Sequence, residues 1–224
     1  MNASLAYAGD GNHTTSYYAA SANTRSLRPV LQGDHTFDVC VVGAGYSGLS
    51  TALHLAEQGH NVAIVEGARI GWGASGRNGG QVVNGLNASL QTIKRKYGQD
   101  TANFVAGLVM EGGEIIRERI RTYDIQCDYK PTNLFTACTD THMRELEERL
   151  ALWQGYGLNT QEMVSKDQIG EYVGSDMYTG GMIDHAGGHM HPLNLALGEA
   201  DAIEKNGGTI FEMSRVVDVN YEAA

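Results

Sequence analysis

A chain of 224 residues, 42% hydrophobic and 19% charged, is large enough to bury a substantial core and falls in the range of one or two globular domains. Its formal net charge of −10 argues against a nucleic-acid partner, which would be held by a basic face, and suits a cationic small molecule such as a polyamine. No apolar run reaches the ~20 residues that span a bilayer, and no basic, apolar and small-residue leader opens the chain, so the expectation is a soluble, cytoplasmic protein without a membrane partner.

Residues 1–35 carry Asn, Ser, Thr, Gly and two His without apolar periodicity and read as an arm, with Tyr17 and Tyr18 on an ordered surface stretch. The run Phe37–Val42 is short, apolar and β-branched, as in a parallel strand covered on both faces. Glycines follow at once. Leu49, Ala52, Leu53 and Ala56 then recur at helical spacing, with Gly59 placed to end the helix in a left-handed conformation. A second strand over Asn61–Val65 leads directly into Glu66, which completes a βαβ unit. Beyond the Gly-rich stretch from Gly67 to Gly85, Thr101–Tyr123 is expected to be an amphipathic helix with Val105, Leu108, Val109, Gly112, Ile116 and Ile120 on one face. A strand over Asn133–Cys138 precedes a helix opened by Asp140 or Thr141. That helix buries Met143, Leu146, Leu150 and Trp153 and wets Glu145, Glu147, Glu148 and Arg149. Tyr178–Met190 suggests a strand and a Gly-rich turn, Leu193–Lys205 a helix stopped by Asn206-Gly207-Gly208, and Thr209–Tyr221 a strand. The three cysteines, Cys40, Cys127 and Cys138, have no metal-type spacing and fit a reducing compartment, with Cys40 expected to pack inertly inside its strand.

The hexapeptide GAGYSG, Gly43–Gly48, matches G-x-G-x-x-G between a buried strand and a helix start. Gly43 would permit the tight turn, Gly45 the approach of a pyrophosphate to the backbone, and Gly48 close packing of helix on strand. The helix dipole and first-turn amides would meet the phosphate charge. Glu66 follows Gly48 by 18 residues, where its carboxylate can accept both adenosine-ribose hydroxyls and repel a 2′-phosphate. This unit alone does not separate FAD from NAD.

In GARIGWGASGRNGGQVVN, Gly71, Gly73, Gly76, Gly79 and Gly80 crowd a stretch that would begin a helix in a plain NAD fold. Backbone lying against a large flat group explains that density better than a flexible loop. Ser75, Arg77, Asn78 and Gln81 interleave polar side chains suited to a pyrophosphate and an isoalloxazine edge. On these residues the chain resembles the amine-oxidising flavoproteins of the D-amino-acid oxidase and glycine oxidase type. The strings Thr14–Asn23, Ala68–Gln81, Glu111–Ile120 and His191–Gly208 narrow the resemblance to the bacterial branch that oxidises γ-glutamylputrescine.

The resemblance implies an α/β fold, a Rossmann-like FAD-binding domain of the glutathione-reductase type with the beginning of an α+β substrate domain. It also implies FAD as cofactor. By resemblance Gly43, Ala44, Gly45, Ser47, Gly48, Glu66, Arg69, Gly73, Ala74, Ser75, Asn78, Gly79, Gly80 and Gln81 contact the cofactor, and the Val216 backbone meets the adenine. The implied reaction oxidises the terminal primary amine of a polyamine derivative to an aldehyde, with O₂ as second substrate and ammonia and H₂O₂ released. The segments are then an arm at 1–35, the dinucleotide-binding βαβ unit at 36–100, a helical and partial substrate-domain segment at 101–190, and a return to the FAD domain at 191–224. Members of this family are considerably longer, so the chain is expected to lack most of the substrate sheet and the closing FAD segment.

Several other residues invite a role. His185, His189 and His191 cluster around Gly187-Gly188, but no acid or thiol at sensible spacing completes a metal set, so a hinge or packing role near the domain junction is the expectation, with His191 beside a substrate channel as the alternative. Trp72 either shields the flavin or packs under its loop. No catalytic residue can be singled out, which suits chemistry done by a cofactor that the protein orients. Two other readings share the glycine motif: a non-catalytic FAD-binding fragment and an NAD-dependent dehydrogenase, the latter with no use for the GASGRNGG stretch.

Overall fold

Val39–Val42 and Val62–Val65 are β-branched runs, and in the computed structural model, which describes residues 11–221, they form the adjacent parallel strands β1 and β2. In chain order the remaining elements are α1 (Tyr17–Ala20), α2 (Tyr46–Glu57), β3 (Gln81–Val82), α3 (Leu90–Tyr97), α4 (Gln99–Thr122), β4 (Lys130–Ala137) and α5 (Asp140–Gln154). Then come β5 (Gln161–Val164), α6 (Lys166–Ile169), β6 (Gly180–His189), α7 (Pro192–Lys205) and β7 (Thr209–Phe211). Two compact units result: Met1–Gly79 with Arg119–Asp128 and His191–Ala224, and Gly80–Glu118 with Tyr129–Met190. Among the described residues no helix is long and apolar enough to cross a membrane.

The first unit is built on a parallel sheet of order β1-β2-β7. Helices α2 and α7 cover one face, where Leu49, Leu53, Ile64, Leu193, Ile203 and Ile210 are almost wholly buried. Each such side chain contributes about 1.5–3 kcal/mol over leaving it in water. Leu31, Phe37 and Val216 pack on the other face against Ala63, Val65 and Phe211. The residues expected to face the core from α2, Leu49, Ala52, Leu53 and Ala56, are the ones buried. Gly59 ends the helix at φ +83°, its amide on the Ala56 carbonyl at 2.9 Å. At the other end of the unit His191 caps α7: its Nδ1 accepts the Asn194 amide at 3.1 Å, Pro192 follows at the first helical position, and burial holds the imidazole below its usual range.

The stretch expected to form an arm is laced onto this unit. The Asn23 amide donates to Asn194 Oδ1 at 2.8 Å, Leu31 N donates to Ser214 Oγ at 2.8 Å, and the Arg28 guanidinium pairs with Glu204 at 3.0 Å and also with Asp201. Tyr18 sets its ring edge-on to His191, centroids 5.0 Å apart, while Tyr17 is exposed.

Arg119 and Glu199 form a buried pair at 3.1 Å, with Arg119 also on Ser50 Oγ and His54 Nδ1. Glu199 Oε2 finds no partner among the described residues, and burial pushes its carboxyl up to about 7 against the pull of Arg119. A carboxyl raised above its unfolded value binds more protons folded than unfolded, so its contribution is full below the ordinary value near 4.5 and is lost as pH rises through about 7. Wild type is therefore expected to lose Tm relative to Glu199→Gln between pH 5 and pH 8, by on the order of a few °C. Parallel pH profiles for the two proteins would show that Glu199 does not titrate in this window.

In the second unit β6 pairs with β3, β4 and β5, all antiparallel. Asp184, fully buried on β6, accepts from Asn84 Nδ2, Gln161 Nε2, Thr160 Oγ1 and the Ala186 amide at 3.0–3.1 Å and so ties strands to loop. Three expectations fail here. No turn interrupts β6: a Cβ on Gly188 would stand 2.7 Å from the Tyr129 ring, and one on Gly187 2.5 Å from Asn133 Nδ2, so these glycines admit crossing side chains. Arg149 is not on a wet face, since it lies over the Phe135 ring at 4.5 Å and donates to the Asn84 carbonyl at 3.0 Å. Leu108, assigned to the buried face of α4, is 49% exposed. The helix expected from Asp140 or Thr141 begins at Asp140, with Thr139 as its side-chain cap.

Candidate cofactor-binding site

The turn leaving β1 brings backbone against backbone. Gly43 takes φ +97°, its amide bonding the Val65 carbonyl at 2.9 Å, and a Cβ on Gly48 would stand 2.0 Å from the Gly43 oxygen. Only glycine at 48 lets α2 start this close to the strand. Gly45, the N-cap of α2, has no side chain to cap it, and the Ser47 and Gly48 amides meet no acceptor among the described residues. Those donors lie at the positive end of the helix dipole, where an anionic group is favoured.

Glu66 is 9% exposed at the end of β2, and its carboxylate accepts from Ala44 N at 2.6 Å and Ala68 N at 2.7 Å. It thus bridges the first glycine turn to the glycine-rich segment, a structural task that spacing alone did not suggest. The same segment is fastened by Gly71 N on the Ala44 carbonyl at 2.9 Å and by Tyr46 N on Ser75 Oγ at 3.0 Å. A Cβ on Gly76 would meet the Gly71 oxygen at 2.3 Å, so a short 3-10 turn, Ala74–Gly76, closes on itself, and Asn78 Nδ2 donates to the Ala74 and Ser75 carbonyls. Gly73, Ala74, Asn78 and Gly79 stay exposed beside it. Tyr46 donates its hydroxyl to the Pro192 carbonyl at 2.8 Å, and burial pushes its pKa up to about 12, so it serves as a fixed donor and not as a base.

The structure therefore gathers Gly43, Ala44, Gly45, Ser47, Gly48, Glu66, Arg69, Gly73, Ala74, Ser75, Asn78 and Gly79 into one unit. Gly80 and Gln81 belong to the second unit, where Gln81 pairs with His189 on β6. Val216 is in the first unit but not on a strand. Strand β7 stops at Phe211, so the strand expected over Thr209–Tyr221 is mostly irregular, because Glu212, Met213 and Ser214 turn their backbones onto Pro29, Ala68 and Glu66. Cys40 is exposed, not packed, because β1 has one strand neighbour in this sheet and its alternate residues Cys40 and Val42 face outward. Trp72 donates Nε1 to the Asn12 carbonyl at 2.8 Å and lies under the Arg77 guanidinium at 4.4 Å. The three histidines have separate tasks: His185 pairs with Glu162 at 2.9 Å, His189 sits on β6, and His191 caps α7.

One residue that fastens this segment escaped the sequence. Glu212 is fully buried just past β7 and accepts from Ile70 N at 2.9 Å, Arg69 Nη1 at 3.0 Å and Arg28 N at 3.3 Å. It sets the start of the glycine-rich segment against the sheet. An acid after a three-residue apolar strand reads as an ordinary surface residue, and nothing local marks it as buried.

The glycine turn, the unsatisfied amides at the α2 N-terminus and the acid ending β2 fit the ADP half of a dinucleotide. The FAD dependent oxidoreductase family, DAO, matches residues 38–224. The chain is 52% identical over 209 residues to the γ-glutamylputrescine oxidoreductase of Escherichia coli (strain K12), covering 93% of this chain and 49% of that protein. It is 42% identical over 209 residues to the probable oxidoreductase OrdL of Haemophilus influenzae, covering 92% of this chain and 48% of that one. The crystal structure of glycine oxidase from Geobacillus kaustophilus shares the fold, with a TM-score of 0.67 at 22% identity over 84% of this chain and 49% of that chain. The chain spans about half the length of the curated relatives it matches. With residues 38–224 matched, this chain belongs to the FAD dependent oxidoreductase (DAO) family.

Proposed function

We propose that this chain provides the ADP-binding part of an FAD site in an oxidoreductase that oxidises the terminal primary amine of γ-glutamylputrescine to an imine, which water hydrolyses to the aldehyde and ammonia. The observation that carries the cofactor reading is the close approach of Gly48 to the Gly43 oxygen with the Ser47 and Gly48 amides left open above it. The substrate reading is supported by the 52% identity to an oxidoreductase named for γ-glutamylputrescine.

In this reading Gly43, Ala44, Gly45, Ser47 and Gly48 hold the diphosphate, Glu66 and Val216 the adenosine, and Arg69, Gly73, Ala74, Ser75, Asn78, Gly79, Gly80 and Gln81 the rest of the cofactor. Bound there, FAD would supply the two-electron acceptor for the carbon bearing the amine, with O₂ as the final acceptor and H₂O₂ as its product. The part of these residues is to bind and orient. Glu66 can turn one oxygen toward a ribose hydroxyl while the other keeps a backbone amide, and the α2 N-terminus offsets diphosphate charge.

Glu66→Ala is expected to weaken FAD binding about 10- to 150-fold, the loss of charge-assisted hydrogen bonds worth roughly 1.5–3 kcal/mol at about 1.4 kcal/mol per decade. A flavin titration of the two proteins checks this, and equal affinities would remove Glu66 from the ribose. For the substrate, H₂O₂ release with γ-glutamylputrescine should far exceed that with glycine or sarcosine. Equal rates on all three would leave the family without the specificity, and a colourless protein that binds nicotinamide nucleotides would overturn the flavin reading.

A further inference from the structure

A groove of about 400 Å³ opens in the first unit between the stretch Asn23–Arg25, the turn Tyr123–Gln126 beyond α4, and one side of α7. Its walls are tied together. The Asn23 amide donates to Asn194 Oδ1 at 2.8 Å, and Asn23 Nδ2 donates to the Gln126 carbonyl at 2.6 Å. A Cβ on Gly198 would stand 2.2 Å from Ile125 Cγ2, so Ile125 seats against α7 and forms the floor with Leu197 and Ala202. Asn194, only 2% exposed, also lines this groove and leaves its Nδ2 without an acceptor among the described residues. None of these residues belongs to the glycine turn or to the glycine-rich segment.

The rim carries both signs of charge. Asp201 is spent on the buried Arg28, whereas Lys205 has no ion-pair partner among the described residues. Arg25 donates to His13 Nε2 at 2.7 Å, a neutral acceptor that leaves the guanidinium charge uncompensated. Asp124, on a turn at φ +52°, accepts from the uncharged Gln126 Nε2 at 2.9 Å. A polyanion would be repelled by the two aspartates, and a polyamine by Lys205 and Arg25. A zwitterion answers both signs, and the volume lies within the roughly 300–1,000 Å³ that takes small molecules. A buried amide donor is costly to leave unpaired, and a carboxylate oxygen is the partner it lacks. We propose that this groove binds a small zwitterion of the amino-acid type. Its carboxylate lies toward Asn194 Nδ2, Arg25 and Lys205, its ammonium toward Asp124, and its aliphatic side chain on Leu197 and Ala202. This second site does not rest on the flavin reading.

The probe is L-leucine, titrated calorimetrically into the purified protein beside isocaproate, which lacks the ammonium, and leucinamide, which lacks the carboxylate. Leucine is expected to bind saturably, the other two more weakly by about 2- to 5-fold or more, and raised salt to weaken all three. Lys205→Gln and Asp124→Asn should each lower leucine affinity about 2- to 5-fold, and Asn194→Asp, which replaces the free donor by a charged acceptor, about 10-fold or more. Both rim side chains are exposed, and asparagine suits the positive φ at 124, so these two variants test the site even if Asn194→Asp fails to fold. No leucine binding by wild type, or isocaproate binding as tightly as leucine, would overturn the proposal. So would equal leucine affinity in wild type, Lys205→Gln and Asp124→Asn, which would place the ligand elsewhere on the protein. Flavin content measured by absorbance is a separate readout, so failure of the cofactor reading would be recognised on its own.

Discussion

Gly48→Ala is expected to abolish flavin retention and to lower Tm by several °C, although it adds a single methyl group. That methyl would stand 2.0 Å from the Gly43 carbonyl oxygen and 3.3 Å from Val41 Cγ1. The first neighbour is backbone and cannot turn aside. The Gly43 carbonyl is itself held, because the Gly43 amide bonds Val65 and its φ is +97°. Either α2 lifts from β1, opening the core around Leu49 and Leu53, or the turn flattens and its amides lose their aim. Overpacking of this kind costs about 1–3 kcal/mol and more where the obstacle is rigid, at roughly 2–4 °C per kcal/mol for a chain of this size. Gly107→Ala, in α4 with nothing within 4 Å, is the control and should be neutral or slightly stabilising. Thermal melts and flavin content per chain decide the matter. An unchanged melt and a full flavin complement in Gly48→Ala would mean that helix and turn can part without cost.

The contrast between Gly48 and Gly188 shows what the sequence could and could not disclose. Gly48 falls inside a motif whose strand, helix and acid follow in fixed order, so the reason for a glycine there follows from the residues around it. Gly187 and Gly188 meet the same physical demand, the close approach of Asn133 and the Tyr129 ring, but from residues more than fifty positions away. A local reading assigns them to a turn. Cys40 errs the same way: its β-branched neighbours announce a strand, whereas its exposure depends on how many strands lie beside β1. Helix faces behave better. The buried side of α2 was legible because periodicity is a local property, while Leu108 on α4 was not, because packing covers only part of that stripe. In the candidate site, residues that shape the glycine turn were legible, whereas the buried Glu212, whose partners Ile70 and Arg69 lie far away along the chain, was not.

Removal of the Glu212 carboxylate should be among the most destabilising single changes in the chain. Glu212→Ala would leave the Arg69 guanidinium, 14% exposed, without its 3.0 Å partner and would orphan the amides of Ile70 and Arg28. Breaking a buried ion pair from one side costs about 3–5 kcal/mol, a large share of the roughly 5–15 kcal/mol that holds a typical domain folded. Glu212→Gln should cost less, since its carbonyl can still accept from Ile70, but its amide nitrogen would meet the Arg69 donor head-on. Arg69→Met in the Glu212→Ala background should recover part of the loss by removing the stranded cation. The recovered coupling is expected to be about 0.5–3 kcal/mol. Urea unfolding of wild type, Glu212→Ala, Glu212→Gln, Arg69→Met and the Arg69→Met/Glu212→Ala double variant measures each term. The ordering has a consequence for the cofactor as well, because Ile70 and Arg69 begin the segment that carries Gly71, Gly73 and Ser75 toward the glycine turn. A Glu212→Gln protein that folds with near-native stability but binds flavin weakly would show that this buried acid acts by setting that segment in place. Additive losses in Arg69→Met and Glu212→Ala would show instead that the pair contributes nothing as a pair, and that the burial of Glu212 rests on its two backbone amides alone.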